Sequence, residues 1–315
     1  MTKQSYAIIG TGALGGLYGG MLAKAGFDVH FLLHNDFEHV RRDGLKIESP
    51  RGDFHLARVN AYRDPDDLPP CDVTIVALKT THNHLLPKLL PSCTREGGVV
   101  LVLQNGLDVE QDSAQIVGVD RTLGGCCFLC SNKAGPGHIK HLDYGQIVFG
   151  CFQRDAVPDD SPAAGRLQLI ADEMTAAGIE VKTIDDLYER RWRKLMWNIP
   201  FNGLSVVLDA STREIIQDPD AASLAETIIR EVHATANRLG VKIPESVIQK
   251  NIDATRSMVP YDSSMRVDYR LRRPMEIEAI FGNPVRAAQE HDIAMPRVEM
   301  LYRQLKSIDR KNRRD

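Results

Sequence analysis

In the stretch KLMWNIPFNGLS, residues 194–205, three polar side chains stand in a run otherwise built from Leu, Met, Trp, Ile and Phe. Lys194, Asn198 and Asn202 are spaced i, i+4 and i+8, which on a helix stacks them in one column. A lone lysine in such a place reads as solvated. Two asparagines in register with it, with no charge between them, ask instead for something polar to face. An acid of RPMEIE, Glu276 or Glu278, is a candidate: an acid opposite a lysine at a dinucleotide crevice makes a proton relay. Taken alone, Glu276 and Glu278 read as ordinary first-turn helix acids, and Ser263 and Ser264 upstream as a helix cap.

A second constellation lies near the start. Gly10, Gly12 and Gly15 fit G-x-G-x-x-G between the apolar strand YAII and the helix pattern ALGGLYGGMLAKAG, closed by Gly26. Gly10 permits a tight turn, Gly12 lets backbone approach a pyrophosphate, and Gly15 permits close helix–strand packing. The phosphates then rest at the helix N-terminus, against Ala13 and Leu14. The residue after the next strand, DVHFLL, selects the dinucleotide: a carboxylate holds the ribose of NAD, a basic group the 2′-phosphate of NADP. LLHND offers His34 and then Asp36, so both cofactors stay open, and Arg41 and Arg42 either add charge or are exposed helix residues. DVTIVAL (72–78) and GVVLVLQNG (98–106) are further strands, ending in Lys79 and Thr80, and in Gln104 and Asn105. Ligands of open parallel sheets bind outside those ends. Lys79 and Asn105 are therefore placed to touch dinucleotide or substrate, the alternative being loop-capping roles.

The frame that must position these residues is an α/β Rossmann-type N-terminal domain (1–185) followed by an all-helical C-terminal domain (186–315). PGHIKHLDYGQIVFG reads as two antiparallel strands joined at a turn, a mixed edge on the same sheet. Beyond residues 183–188 the pattern is helical, with start and stop chemistry from Asp218-Pro219 to Gly240. Pro200 interrupts the helix carrying the polar column, and a bend there would swing Asn202 toward or away from Lys194. A break is also expected at Gly282–Pro284.

The chain has 315 residues, 43% apolar and 26% charged, with a net charge of −3. That balance carries no footprint for nucleic acid, and no apolar run is long enough for a membrane. The basic tail from Lys306 to Arg314 reads as a frayed, solvated helix end. With a strand pattern starting at once and no signal peptide in front of it, the expected location is cytoplasmic. Cys126, Cys127 and Cys130, followed by His138 and His141, raise the question of zinc. TLGGCCFLC reads as a buried strand in which cysteine is a small hydrophobe, so no metal is expected.

With these motifs in order, the chain resembles the ketopantoate reductase (2-dehydropantoate 2-reductase) family over nearly its whole length. The residues that carry the resemblance are GTGALGG, ALKT, QNG, PGHIKH, KLMWNIPFNGLS, and SSMRVD followed by EIE. The resemblance implies reduction of the ketone of 2-dehydropantoate to pantoate with NADPH. It implies Lys194 as the catalytic lysine and Glu276 as the acid paired with the reaction. Asn105, Asn198, Asn202 and Ser264 become substrate-binding residues. The cofactor contacts become Gly10, Gly12, Ala13, Leu14, Gly15, His34 and Lys79, with Asn105 and Glu276. The partner is a small 2-oxo acid, and the amphipathic helices either bury their faces internally or across a homodimer.

Three positions depart from the family pattern. His34 stands where an arginine for the 2′-phosphate is common, Phe281 where many members have asparagine, and Thr212 near another substrate-binding asparagine. The last two concern the substrate end and leave a different bulky 2-oxo acid open. The beta-hydroxyacid dehydrogenases share the lysine with an asparagine four residues on, but not QNG or SSM…EIE. A dinucleotide sensor would have no reason to keep both Lys194 and Glu276.

Overall fold

The computed structural model describes residues 3–259 and 262–313, with Arg154 described in its backbone only. The chain divides into two units, one of Met1–Gln104 with Val109–Leu187, the other of Asn105–Asp108 with Tyr188–Asp315.

The first unit starts with β1 (Ser5–Ile9), α1 (Ala13–Lys24), β2 (Asp28–Leu32), α2 (Phe37–Asp43), β3 (Leu45–Glu48), β4 (Phe54–Leu56) and β5 (Asn60–Tyr62). It continues with β6 (Cys71–Val76), α3 (Leu86–Cys93), β7 (Thr94–Val102), α4 (Gln111–Val117), β8 (Thr122–Gly135), β9 (His138–Cys151), α5 (Pro162–Ala176) and β10 (Val181–Thr183). Strands β7, β6, β1, β2 and β5 lie side by side in parallel, with β8 parallel beside β7. The sequence order reverses between β2 and β6, on either side of β1, which makes the carboxyl end of β1 the switch point of the sheet. Near-continuous apolar runs in β1, β6 and β7 are buried, as a sheet covered on both faces requires.

Strand β9 runs antiparallel to β8, with β3 and β10 parallel to β9. Where the sequence suggests two strands joined at a turn, there is one. The turn lies earlier, at Gly135–Gly137, and the apparent mid-segment turn is a bulge at Tyr144 and Gly145, both with positive φ (62° and 120°). All six cysteines are buried, and burial pushes the Cys130 thiol up to about 11.

The second unit is helical: α6 (Leu187–Val207), α7 (Thr212–Gln217), α8 (Pro219–Arg238), α9 (Ser246–Ser257), α10 (Ser264–Arg270), α11 (Asn283–Gln289) and α12 (Pro296–Asn312). Starts follow local chemistry: Asp218 accepts from Ala221 N ahead of Pro219, Ser211 and Glu214 form a capping box, and Ser263 accepts from Arg266 N. Trp192, Phe201 and Phe281 are fully buried in its core. Helix α6 runs through Pro200 without interruption. Burial of Ile199 and Phe201, and stacking of Phe201 on Trp197 at 5.2 Å, hold the helix across the lost hydrogen bond. The expected break before Pro284 is instead a π-helical turn, Glu278–Gly282, that leads directly into α11.

Helix α12 stays ordered through most of the basic tail. Asp309 is buried and accepts from Met275 N, and Lys306 pairs with Glu278 at 3.1 Å. Arg314 lies outside the described residues. Among the described residues no helix is long and apolar enough to cross a membrane.

Candidate functional site

In the first unit the glycine turn joins β1 to α1. Gly10 adopts φ +96°, and a Cβ there would overlap the backbone nitrogen of Leu78. A Cβ on Gly15 would overlap the Gly10 carbonyl oxygen and come within 3.1 Å of Ala77 Cβ. These two glycines let turn, helix and β6 close on one another. Gly12 differs: it has φ −90° and ψ −156°, a conformation open to other residues, and a Cβ there would meet no protein atom within 4 Å. Its small size serves nothing inside the protein. Gly12 is also the N-cap of α1 and supplies no side-chain acceptor, and the first turn has no acid. The amides of Ala13, Leu14 and Gly15 thus lie at a positive helix end that no side chain caps, a setting that suits an anion.

Around that turn Lys79 and several histidines are spread over two strand ends. His34 is exposed just beyond β2, and Lys79, half-buried, opens the 3₁₀ turn Thr80–Leu85 after β6. His82 in that turn has its pKa lowered by partial burial, and by His84, Lys79 and His34 close by. Asp36, the carboxylate that would favour NAD, is buried and committed. Lys133 Nζ lies 2.6 Å from it and Gly137 N donates to it at 2.9 Å. Arg41 and Arg42 are exposed and pair with Glu38 and Asp43. Gln104, unassigned from sequence, is buried and donates to Leu78 O and Asn83 Oδ1, bracing the ends of β6 and β7.

In the second unit the polar column holds its register on α6. Asn198 and Asn202 are buried and Lys194 is half-buried. Asn105, read from sequence as the end of a sheet strand, belongs with the helices: Lys194 Nζ donates to Asn105 Oδ1 at 2.6 Å. The segment Asn105–Asp108 is tied down by Leu107 N donating to Ala279 O (2.9 Å) and by Asn283 Nδ2 donating to Leu107 O (2.7 Å). Gly106, at φ +125°, has no room for a side chain against Ala279. Glu276 is half-buried, three residues before Ala279. Glu278 points elsewhere, to Tyr302, Arg286 and Lys306.

Ser264 is the exposed first residue of α10. The preceding cap residue is anchored to α6: Ser263 and Ser205 share a 2.6 Å hydrogen bond, and Ser205 Oγ donates to Asn202 O. Arg266, buried and overlooked in the sequence, reaches the Asp209 carboxylate and carbonyl and the Asp262 carboxylate, and fixes the same turn. Its signal was an arginine two residues into a serine-capped helix with acids on both sides. Phe281 and Thr212, expected near the substrate end, are fully buried. Phe281 belongs to the hydrophobic core. The nearby polar residue that reaches the QNG segment is Asn283. Among the described residues no three His, Cys, Asp or Glu side chains gather as metal ligands.

The comparisons with known proteins agree with this arrangement. The family described as ketopantoate reductase PanE/ApbA matches residues 6–154, and its C-terminal counterpart matches residues 186–309. A curated relative from Nostoc sp., 2-dehydropantoate 2-reductase, is 51% identical over 99% of this chain and 98% of its own. The crystal structure of 2-dehydropantoate 2-reductase from Geobacter metallireducens is similar at 41% identity with a TM-score of 0.91, covering 96% of this chain and 99% of that one. That from Methylococcus capsulatus is similar at 30% identity and a TM-score of 0.85, covering 98% and 97%. With both parts of the family matched along one chain, and a relative half identical to it end to end, the chain belongs to the ketopantoate reductase family.

Proposed function

We propose that the protein reduces 2-dehydropantoate to pantoate with NADPH, and that the hydrogen bond between Lys194 and Asn105 is the observation that carries this reading. The amide oxygen of Asn105 accepts one of the three N–H donors of this ammonium at 2.6 Å and so fixes where the lysine head stands. As hydride reaches the ketone carbon, negative charge grows on the oxygen; Lys194 stabilises it and then delivers a proton. Asn198 and Asn202, neutral and buried on the same helix face, orient the 2-oxo acid without trapping its charge, and Ser264 receives its carboxylate. Glu276 accepts a hydrogen bond from the new hydroxyl.

The open space over Gly12 and the uncapped amides that follow fit the pyrophosphate of a nicotinamide dinucleotide. When bound, that cofactor supplies the hydride. Preference for NADPH over NADH is supported by the commitment of Asp36 to Lys133 and Gly137, which takes the negative charge away from a ribose. The grouping of the Lys79 ammonium with the imidazoles of His34 and His82, which can donate hydrogen bonds, supports it further, as a setting for the 2′-phosphate.

The test is the loss of NADPH and NADH absorbance with ketopantoate and a panel of other 2-oxo acids, for the native protein and for Lys194→Ala. Rapid NADPH consumption specific to ketopantoate is expected, with turnover falling by about 10²–10⁴ in the variant. Undiminished turnover in Lys194→Ala removes the lysine from the mechanism. Faster reaction with another 2-oxo acid moves the substrate while keeping the chemistry.

A further inference from the structure

In EAIFGNP, residues 278–284, a wide helical turn runs into a proline. The π-helical turn pairs Asn283 N with Glu278 O, five residues back. An α-helix would have offered that same N–H to Ala279 O. The next amide position is Pro284, which has no N–H to give. Ala279 O is therefore left to accept from outside the helix, and the donor it meets is Leu107 N, at 2.9 Å. Asn283, the first residue of α11, adds a second link, with Nδ2 donating to Leu107 O at 2.7 Å. Leu107 is thus held by both of its backbone polar groups, and its side chain is fully buried in the helical core.

The loop around Leu107 relies on those links. Gly106 before it has φ +125°, and Asp108 after it has φ +55°, a region that residues other than glycine occupy only where their surroundings fix them. Asn105, next to Gly106, supplies the oxygen that meets Lys194 Nζ at 2.6 Å. The Asn283 amide is itself oriented, because Arg286 Nη2 donates to its Oδ1. A guanidinium only donates and a carbonyl only accepts, so the NH₂ end is the end turned to Leu107 O. Arg286 Nη1 in turn donates to Glu278 Oε2 at 2.9 Å, and Glu278 is held from α12 by Tyr302 at 2.8 Å and Lys306 at 3.1 Å. A Cβ on Gly282 would lie 2.5 Å from Glu278 Oε2 and 3.1 Å from the Arg286 nitrogens, so glycine there makes room for the pair to cross the turn.

We propose that Asn283 is a positioning residue for the reduction: through Leu107 it sets Asn105, and through Asn105 the place of the Lys194 ammonium. This rests on the reading of Lys194 as proton donor, but not on which 2-oxo acid is reduced. The experiment is a double-mutant cycle on the full-length protein, read in kcat with NADPH and the 2-oxo acid of the panel that turns over fastest. Asn283→Ala should lower kcat about ten-fold, the weight of one hydrogen bond. In the Asn105→Ala background the same substitution should change kcat by less than about two-fold, because the residue it acts through is gone. Thermal midpoints of all four proteins are measured alongside; a role in stability alone would lower them and leave the kcat of folded enzyme unchanged. Asn283→Asp is the second variant. It keeps the size of the side chain and an acceptor for Arg286 but has no donor for Leu107 O, and should lose rate as Asn283→Ala does. Native kcat in both Asn283 variants, or losses that multiply in the double variant, overturns the proposal. Native kcat in Asn105→Ala overturns it from the other end, by removing the lysine–amide pair from turnover. A slowed Asn105→Ala beside a native Asn283→Asp confines the failure to the positioning and leaves the catalytic reading in place.

Discussion

Gly12 and Gly15 stand three residues apart in one motif, yet the structure predicts opposite outcomes for the same added methyl group. In Gly15→Ala the new Cβ collides with the Gly10 carbonyl oxygen and crowds Ile8 Cγ2 at 3.0 Å. Backbone cannot swing aside as a side chain can. The gain of about 0.5–1 kcal/mol that alanine brings to a helix interior is outweighed by overpacking of about 1–3 kcal/mol. In Gly12→Ala the methyl meets nothing, and the backbone angles suit alanine, so thermal stability should stay within about 0.5 kcal/mol of the parent. The cost appears only with ligand: a methyl where the pyrophosphate must approach displaces it from one charge-assisted amide bond, worth about 1.5–3 kcal/mol. That corresponds to NADPH binding weakened by about ten- to 150-fold. Thermal unfolding without cofactor, and nicotinamide fluorescence titration with it, separate the two effects. Gly12→Ala binding NADPH as tightly as the parent would refute the placement of the phosphates at α1. A large loss of stability in that variant would refute the open space above Gly12.

Asn105→Ala removes an acceptor of the Lys194 ammonium, a charge-assisted bond worth about 1.5–3 kcal/mol, and kcat/KM should fall about ten- to 150-fold; a loss below three-fold would disconnect this pair from turnover. Arg266→Met removes the donor of the Asp209 carbonyl and leaves the Asp209 and Asp262 carboxylates to Arg270 alone, and is expected to lower stability by about 1–3 kcal/mol and to raise the KM for the oxo acid more than it lowers kcat. Steady-state kinetics of the folded fraction check that split, and an unchanged KM would limit Arg266 to stability. For Asp72, burial pushes the carboxyl up, but bonds from Ser5 backbone and hydroxyl, with Arg95 and Arg166 nearby, more than offset this and hold it below the usual range. A folded-state value below the unfolded one of about 3.9 means its contribution is complete above that value and fades as pH falls through the folded one. Asp72→Asn should therefore flatten the acid limb of the stability–pH curve below about pH 4, measured by urea unfolding.

What was legible in the sequence was local. The glycine turn follows from steric rules over six residues, and the Lys194 column from helical periodicity. Its continuity through Pro200 was not legible, because the stacking of Phe201 on Trp197 and the burial around it are tertiary facts that override the missing donor. The β9 bulge mimicked a turn, since Asp143–Gly145 carries turn-forming residues whose positive φ values are absorbed within one strand. Asp36 stayed ambiguous beside His34 because the lysine that claims it lies on β8, far along the chain. The same holds for Asn105, whose strand-end position gave no sign that its partners are helices.

The four residues Asn105–Asp108, flanked on both sides by chain of the sheet unit, also bear on how the protein is made. Asn283, which holds Leu107 in place, lies 176 residues further along the chain. At a synthesis rate of about 5–20 residues per second, some 10–35 s pass on the ribosome between the emergence of one and the other. The sheet can pair within that interval, while the loop that presents Asn105 waits without its anchor. The lysine and its amide partner are therefore among the last contacts to form, and a chain released before Asn283 lacks the anchor that sets them together.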